Sequence, residues 1–251
     1  MTRSHWRKIA SVAGLLLVWQ LLVQSGRLSP LFLPAPLSVL AAMWDMTRSG
    51  QLPWAVLVSL NRVVQGFAYG AAAGVVLGLV AGAVGWVEDV LDPWVAAVYP
   101  IPKSALFPLF LLWFGLGDAS KIVTIAVGVL FLVLVNTVTG VKAINPVLLK
   151  AARDLGASRL QVFTKVILPG ALPNIFTGLR LGAGMALILV FITEIEATKA
   201  GLGFLLWEAF QLLDTTGVFV GVVTFGLLGV ASTWLLQWLE RVGCPWVQRT
   251  N

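Results

Sequence analysis

Long apolar stretches alternate with short polar segments along nearly the whole chain. Each apolar stretch has the length that an α-helix needs to cross about 30 Å of hydrocarbon. Four of them contain no charged residue, namely Ile9–Gly26, Val63–Val87, Ile122–Val141 and Thr215–Leu239. Two more contain one charge each: Pro93–Gly117 is interrupted by Lys103, and Val166–Thr193 by Arg180. The pattern therefore predicts an all-α integral membrane protein with about six transmembrane helices.

The first stretch also has a feature of a secretory signal, because basic residues precede it. A signal peptide has a shorter apolar core, followed by a cleavage site of small residues. The 18 residues of Ile9–Gly26 are nearer to the length of a span. A retained first helix is the favoured interpretation, and a cleaved signal is the alternative. The proline-rich segment Leu28–Arg62 is not a span, but Leu37–Met46 within it predicts a short helix at the outer surface.

Composition argues against a soluble domain. Hydrophobic residues make up 59% of the 251 residues and charged residues only 11%, whereas a soluble domain carries about 25% charge. In a soluble protein, the net charge of +6 would point to nucleic acid. Here it is better explained by Lys and Arg in cytoplasmic loops, so no nucleic acid partner is expected.

The distribution of Lys and Arg predicts the orientation of the spans. With the N-terminus in the cytoplasm, the cytoplasmic segments hold ten basic residues and the external segments hold five. The ten are Arg3, Arg7, Lys8, Lys142, Lys150, Arg153, Arg159, Lys165, Arg241 and Arg249. The five are Arg27, Arg48, Arg62, Lys121 and Lys199. Both termini and the polar segment after the fourth span then lie in the cytoplasm.

That polar segment, residues 143–169, has the local signals of two short helices. Asn145 is a preferred N-cap residue, and the following proline suits the first helical position. The first helix should run to Leu155, where Gly156 can adopt a positive φ and close it. Ser158 can cap a second helix, which Pro169 and Gly170 would end or redirect at the next span. Two short helices joined at a glycine form a knob at the membrane face, which suits docking better than chemistry.

The run from Lys150 to Pro169 resembles the cytoplasmic loop of permease subunits of ATP-binding-cassette (ABC) importers, written E-A-A-x(3)-G-x(9)-I-x-L-P. The residues in register are Ala151, Ala152, Gly156, Ile167, Leu168 and Pro169. One residue departs from the pattern, since Lys150 stands where the family has an acid. Further similarity between residues 33 and 240 is to the branch that carries sulfonates, taurine and nitrate, as in the runs 33–40, 59–63, 101–105, 113–117, 178–180 and 201–203.

The resemblance implies the type I ABC importer permease fold in the cell inner (plasma) membrane. It implies two ABC ATPase subunits that bind ATP-Mg, a second permease copy in a homodimer, and an external solute-binding protein. The cargo would be a small anionic solute such as a sulfonate, taurine or nitrate. Residues 1–58 would form the first helix and an external segment, 59–240 the core permease domain, and 241–251 a cytoplasmic tail. The ATPase-coupling loop would comprise Lys150, Ala151, Ala152, Asp154, Gly156, Ala157, Ile167, Leu168 and Pro169.

No catalytic residue, metal site or cofactor is expected in this chain. It has no Gly-Lys dipeptide, and so lacks the phosphate-binding loop G-x-x-x-x-G-K-[ST]. Its one histidine, His5, excludes a zinc site with a pair of histidines and makes a Ser-His-Asp triad implausible. Its one cysteine, Cys244, excludes an internal disulfide and a metal site built from several cysteines. The alternatives to a permease are weaker. A secondary transporter needs carboxylates inside the membrane for ion coupling, and a membrane-embedded enzyme needs a nucleophile–base or metal set.

The second span carries a glycine at every fourth residue, at Gly66, Gly70, Gly74, Gly78 and Gly82. Positions four apart share one face of a helix. Small residues on that face allow the close backbone approach by which helices pack in lipid. The stripe therefore predicts tight packing against another helix. The sequence leaves open whether that helix belongs to the same chain or to a second copy.

Four polar residues are candidates for the translocation path: Lys103, Asn136, Arg180 and Glu194. The two cations lie within predicted spans, where a charge is a functional hypothesis by default, although Lys103 also has the option of snorkelling. Asn136 is expected to hydrogen-bond between helices. Glu194 lies at an outer end, either in a solvated rim or in a gate or docking contact. Prolines at 100, 102 and 108 are expected to break the third span, and Phe204–Leu213 to form a re-entrant helix.

Overall fold

The computed structural model describes residues 3–25, 29 and 31–246. Every regular element in these ranges is helical. The α-helices are α1 Arg3–Gln24, α2 Pro36–Arg48, α3 Gln51–Ala83, α4 Gly85–Val98, α5 Phe107–Phe114, α6 Asp118–Lys142, α7 Pro146–Asp154, α8 Arg159–Val162, α9 Leu168–Ala197, α10 Leu202–Gln211 and α11 Thr215–Gly243. A 3₁₀ turn, Lys103–Leu106, precedes α5, and a π-helical turn, Phe163–Ile167, precedes α9. The prediction of an all-α fold is confirmed.

Within the described residues, four helices are long and apolar enough to cross a membrane. They are α3, α6, α11 and the continuous helix Arg159–Ala197. A fifth candidate is the pair Gly85–Val98 and Lys103–Phe114, which is bent by 91° at the predicted proline break. The first predicted span, Ile9–Gly26, lies on α1 as far as Gln24. Its predicted last residue, Gly26, lies outside the described residues, and the sixth span stays a prediction.

The chain divides into two compact units, with boundaries after Ser59, Thr198 and Gly226. The first unit contains α1, α2, α10 and the adjoining ends of α3 and α11. In it, the Trp19 indole Nε1 donates to the carbonyl of Pro34 at 3.1 Å. The backbone N–H of Leu202 donates to Ser59 Oγ at 2.7 Å, which ties the start of α10 to α3. The predicted short helix Leu37–Met46 corresponds to α2.

In the second unit, the glycine stripe of α3 packs against α6 of the same chain. A Cβ on Gly70 would lie 2.3 Å from the carbonyl oxygen of Ala126, and one on Gly78 would lie 2.5 Å from the Cβ of Thr137. The other glycines of the stripe also face α6 residues: Gly66 faces Ile125, Gly74 faces Leu130 and Val133, and Gly82 faces Val141. Any side chain at these positions would force the helices apart. The structure therefore answers the question left open by the sequence.

Helix α6 also packs closely against α9. A Cβ on Gly140 of α6 would lie 2.7 Å from the Cβ of Asn174 on α9. A Cβ on Gly178 of α9 would lie 2.9 Å from the Cβ of Asn136 on α6. Close contact with both α3 and α9 makes α6 the centre of the second unit. A buried cluster of Leu79, Val141, Ala171 and Ile175 joins the three helices at one end.

The expectation that Pro169 ends or redirects the helix was wrong. The helix continues from Arg159 through Pro169 to Ala197. Proline lacks a backbone N–H, and its ring clashes with the carbonyl four residues earlier in a regular helix. The π-helical turn Phe163–Ile167 lies directly before it. A wider turn gives the ring room, so the chain crosses the proline without stopping.

Candidate functional site

The loop between α6 and α9, residues 143–167, is ordered by its own local contacts. It begins with Asn145, whose side chain accepts a hydrogen bond from the N–H of Val147 at 2.9 Å. Pro146 occupies the first turn of α7. Both features follow the sequence prediction, because an N-cap and its target are only two residues apart.

Helix α7 ends in a glycine turn. Gly156 has a φ of +80°, in the left-handed region that glycine adopts without steric cost. Its N–H donates to the carbonyl of Arg153 at 2.9 Å, and the N–H of Ala157 donates to that of Ala152 at 3.0 Å. These two bonds form a Schellman motif, which satisfies carbonyls left without partners at a helix end. Nothing lies within 4 Å of where a Cβ on Gly156 would be, so backbone conformation alone favours glycine there.

Helix α8 begins with a reciprocal cap. Ser158 Oγ accepts from the N–H of Gln161 at 3.3 Å, and Gln161 Oε1 accepts from the N–H of Ser158 at 2.8 Å. This capping box satisfies two backbone donors at the start of α8. Both short helices therefore have their ends closed by residues of the loop itself.

The loop exposes apolar side chains that the sequence analysis did not single out. Leu155 is 88% exposed and Leu160 is 71% exposed, and Val147 and Leu148 on α7 are exposed as well. Val147 and Ala151 are four residues apart and so lie on one face of α7, and Leu155 follows directly at its C-terminal end. This spacing in a polar loop was the signal that would have revealed them. A contiguous apolar face on an ordered loop is typical of an interaction surface.

The predicted motif residues occupy two different places on the loop. Lys150, Ala151, Asp154 and Gly156 are exposed, and Ala152 and Ala157 are partly buried. Ile167 and Leu168 instead pack against the buried cluster at the end of α3, α6 and α9. Pro169, in the first turn of α9, is partly buried. The loop thus has an exposed face and a packed attachment to the helices.

At the other end of the second unit lies a buried ion network. Arg62 Nη1 lies 2.7 Å from Glu194 Oε1, and its Nε donates to Asp118 Oδ1 at 2.8 Å. The side chains of Arg62 and Glu194 are 5% and 0% exposed. The network links α3, α6 and α9. The interpretation of Glu194 as part of a solvated rim was therefore wrong, because its side chain is buried. Its partner could not be foreseen, since Arg62 is 132 residues away in sequence. Arg62 was missed as a site residue, although a basic residue at a span end was visible.

The two buried lysines of this unit satisfy the carbonyls of broken helices. Lys103 Nζ donates to the carbonyls of Val98, Tyr99 and Ile101, at 2.6, 3.0 and 2.9 Å. Lys121 Nζ donates to those of Leu116 and Gly117, at 3.1 and 2.9 Å. An ammonium has three donors, so Lys103 is fully occupied. Its geometry is that of a C-terminal cap for α4 rather than of a free cation.

The other two candidates for the path also have partners within the second unit. Asn136 Nδ2 donates to the carbonyl of Leu132 on its own helix at 2.8 Å. The expected bond between helices is thus replaced by close packing of Asn136 against Gly178. Arg180 Nη1 lies 3.5 Å from Glu240 Oε2 on α11. Nothing in this geometry brings Lys103, Asn136, Arg180 and Glu194 together, and their role in a path stays a prediction.

The second unit also pairs Lys142 with Glu88, which joins the end of α6 to the first turn of α4. Among the described residues, no group of three or more His, Cys, Asp or Glu side chains could hold a metal ion.

Residues 74–242 match the family of binding-protein-dependent transport system inner membrane components. The chain belongs to this family. The match covers α6, the loop and α9, and the helical fold with several candidate spans agrees with it. The protein is therefore a multi-pass membrane protein, the membrane-spanning permease subunit of an ABC importer.

Named relatives align over almost the whole permease. A Bacillus subtilis protein, provisionally named as an aliphatic sulfonates transport permease, is 34% identical, with 97% of this chain and 89% of the relative covered. The taurine transport system permease of Escherichia coli is 34% identical, covering 98% and 91%. The bicarbonate transport system permease of Synechococcus elongatus is 30% identical, covering 96% and 88%.

The fold also resembles a solved structure. A chain from the crystal structure of an amino acid ABC transporter with histidines superposes with a TM-score of 0.62. The alignment covers 74% of this permease and 91% of that chain, at 18% sequence identity. At this identity, the similarity concerns the fold alone.

Proposed function

We propose that this permease forms the translocation path for a small anionic solute, delivered by an external binding protein and driven by two separate ABC ATPase subunits. The relatives support the cargo class, because they are named for aliphatic sulfonates, taurine and bicarbonate. Each of these cargoes bears an acidic oxygen-rich group. The permease itself contributes no bond chemistry, and ATP-Mg is bound by the ATPase subunits. Both termini lie on the cytoplasmic side, and a second identical copy completes the path.

The loop is the element that carries this proposal. Its exposed face offers Leu155 and Leu160 to a partner, while Ile167 and Leu168 pack against the helix cluster. Caps and the Gly156 turn define the ends of the two short helices, and buried Val162 anchors α8. A rigid knob with a packed attachment can transmit the movement of a docked ATPase to α9. We infer that residues 143–169 couple ATP hydrolysis to the opening and closing of the path.

The proposal of an anionic cargo does not rest on the two cations within predicted spans. Lys103 is occupied by three backbone carbonyls, and Arg180 is paired with Glu240. A cargo that met either cation would have to displace these contacts. The support for an anionic cargo therefore comes from the relatives.

The Gly156 turn provides the test of coupling. Gly156→Val places a β-branched residue at a φ of +80°, which costs about 1–3 kcal/mol of backbone strain. Gly156→Asn is the matched control, since asparagine tolerates this conformation. We expect Gly156→Val to lower ATP-driven uptake in proteoliposomes containing permease, ATPase and binding protein, at unchanged membrane abundance. Uptake by Gly156→Asn should stay near that of the wild type. Equal uptake by both variants and the wild type would refute coupling through this turn.

Docking and stoichiometry are tested by purification from membranes in mild detergent. Leu155→Ser with Leu160→Ser should lose the ATPase while the permease remains folded, because the exposed apolar face is removed. Permease chains carrying two different tags should co-purify if the path is formed by two identical copies. Retention of the ATPase by the double variant would show that docking lies elsewhere. Competition of labelled taurine uptake by alkanesulfonates, bicarbonate and nitrate would then rank the cargoes.

A further inference from the structure

A cavity of about 680 Å³ lies between the end of α3 and the loop. Its apolar lining comes from Ala83, the last residue of α3, from Val84 directly after it, and from Phe163 and Ile167 of the π-helical turn. Phe163 and Ile167 lie near the start of the candidate span Arg159–Ala197. Because α3 and Arg159–Ala197 are both candidate spans, this position would place the apolar lining near the polar boundary of a membrane.

The same cavity is also lined by two basic residues. They are Arg153 from the last turn of α7 and Arg159 from the start of α8. The turn at Gly156 brings these two residues to the same cavity. Both are exposed, and neither side chain has an ion pair or hydrogen bond to another described residue. By contrast, Lys142 of the same region is paired with Glu88. The two guanidinium groups are thus available to a ligand from outside the chain.

We propose that this cavity binds the head group of an anionic phospholipid. Guanidinium groups present planar sets of N–H donors that match phosphate oxygens. The adjoining apolar lining matches the glycerol and upper acyl region of the same molecule. Basic pockets between the ends of transmembrane helices are a known form of lipid recognition. In addition, each basic residue near the membrane surface is attracted to the anionic lipids there. The volume lies within the range of about 300–1,000 Å³ for small-molecule sites.

A lipid in this position would touch both α3 and the Gly156 turn of the coupling loop. It would hold the turn against the end of α3, so that the anionic lipid content of the membrane sets how readily the loop moves. This consequence rests on the proposed coupling function. Lipid binding itself does not, and it can be measured without ATPase or ATP.

The test uses the full-length permease in nanodiscs of phosphatidylcholine with increasing phosphatidylglycerol, and native mass spectrometry of the lipid retained after extraction. The variant is Arg153→Gln with Arg159→Gln. The matched control is Lys165→Gln with Arg241→Gln, which removes the same charge outside the cavity. We expect the wild type and the control to retain phosphatidylglycerol. The variant Arg153→Gln with Arg159→Gln should bind phosphatidylglycerol at least about tenfold more weakly than the wild type.

Three results would overturn the proposal. Equal retention by the variant and the control would show only general attraction of the membrane to basic residues. Displacement of the lipid by millimolar inorganic phosphate would identify a free-anion site instead. Unchanged lipid retention, together with loss of the ATPase from the Arg153 and Arg159 variant in co-purification, would show that both arginines bind the ATPase. If lipid binding is confirmed but uptake does not respond to phosphatidylglycerol, the site stands and the coupling role fails.

Discussion

The two ends of the second unit treat their charged residues in opposite ways. At one end, Arg62 and Glu194 are buried and paired, and both partners lie within the same chain. At the other end, Lys150, Arg153 and Arg159 are exposed on a loop whose backbone bonds are satisfied locally. Both regions are ordered, but only in the first do ion pairs between charged side chains hold the helices together.

The difference separates structural charges from charges available to partners. A buried charge without a partner has a large desolvation cost. Arg62 and Glu194 can therefore be buried because each neutralises the charge of the other. An exposed charge has no such requirement, and the loop would fold equally well with neutral residues there. The charges and leucines of the loop are therefore explained by molecules outside the chain, an ATPase and a lipid in our proposals.

The largest expected effect comes from breaking the buried pair. Glu194→Leu leaves the buried Arg62 paired with Asp118 but without its buried partner. Loss of one partner of a buried ion pair lowers the free energy of unfolding by about 3–5 kcal/mol. The variant should show much lower thermal stability in detergent and reduced abundance in the membrane. Arg62→Met with Glu194→Leu removes both charges and should recover most of the stability. A double variant as unstable as the single one would mean that the pair is not the source of the effect.

The next effect concerns the lysine cap of α4. Lys103→Met keeps the volume of the side chain but leaves the carbonyls of Val98, Tyr99 and Ile101 without their donor. Hydrogen bonds that involve a charged group contribute about 1.5–3 kcal/mol each to stability, and we expect a loss of about that size in total because carbonyls can find other donors. Thermal denaturation measures it. Arg153→Gln, which neutralises an exposed cation, is the control and should lie within about 0.5 kcal/mol of the wild type.

A smaller, local effect is expected at the cap of α8. Ser158→Ala removes the acceptor for the N–H of Gln161, and loss of an N-cap costs about 1 kcal/mol. Because the loop is ordered by local contacts, hydrogen exchange should accelerate in residues 158–162 while the global unfolding temperature hardly changes. Ser158→Thr should preserve the slow exchange. A large drop in the unfolding temperature with Ser158→Ala would show that the loop is coupled to the helix bundle.

The smallest effect is expected at the position that departs from the importer pattern. Lys150→Glu restores the acid of that pattern at an exposed site, and its effect on stability should be within about 0.5 kcal/mol. Retention of the ATPase on purification is the second measurement, because any change there reports on the docked partner. A clear loss of thermal stability would contradict the view that the loop charges have no structural role.

The sequence was sufficient for the caps and the helix-ending turn of the loop. Asn145, Gly156 and Ser158 were all predicted in their observed roles, because a cap or a helix-ending turn involves residues within a few positions. The glycine stripe was also predicted to pack, since its spacing marks one helix face. Its partner, α6, was left open because nothing local identifies which helix approaches.

The errors have two origins. One concerns a contact between distant residues, and the others concern local distortions of the backbone. Glu194 was left open between a solvated rim and a gate or docking contact, because Arg62, its partner, is 132 residues away. Pro169 was expected to end or redirect a helix because the π-helical turn that accommodates it has no local signal. Lys103 was considered as a cation for cargo because the break predicted at the prolines did not show that three nearby carbonyls would turn towards its side chain.

Apolar length, loop charge and short-range caps thus determined, from the sequence alone, a membrane-spanning helical protein with a loop of two short helices. These properties depend on composition and on residues close together along the chain, so they can be inferred without knowledge of the folded structure. The importer permease type came from the resemblance of that loop to a family motif. The tertiary structure decided which charges are paired, which helix covers the glycines, and which arginines share a cavity. Those depend on contacts between distant residues, whose choice rests on the packing of whole helices.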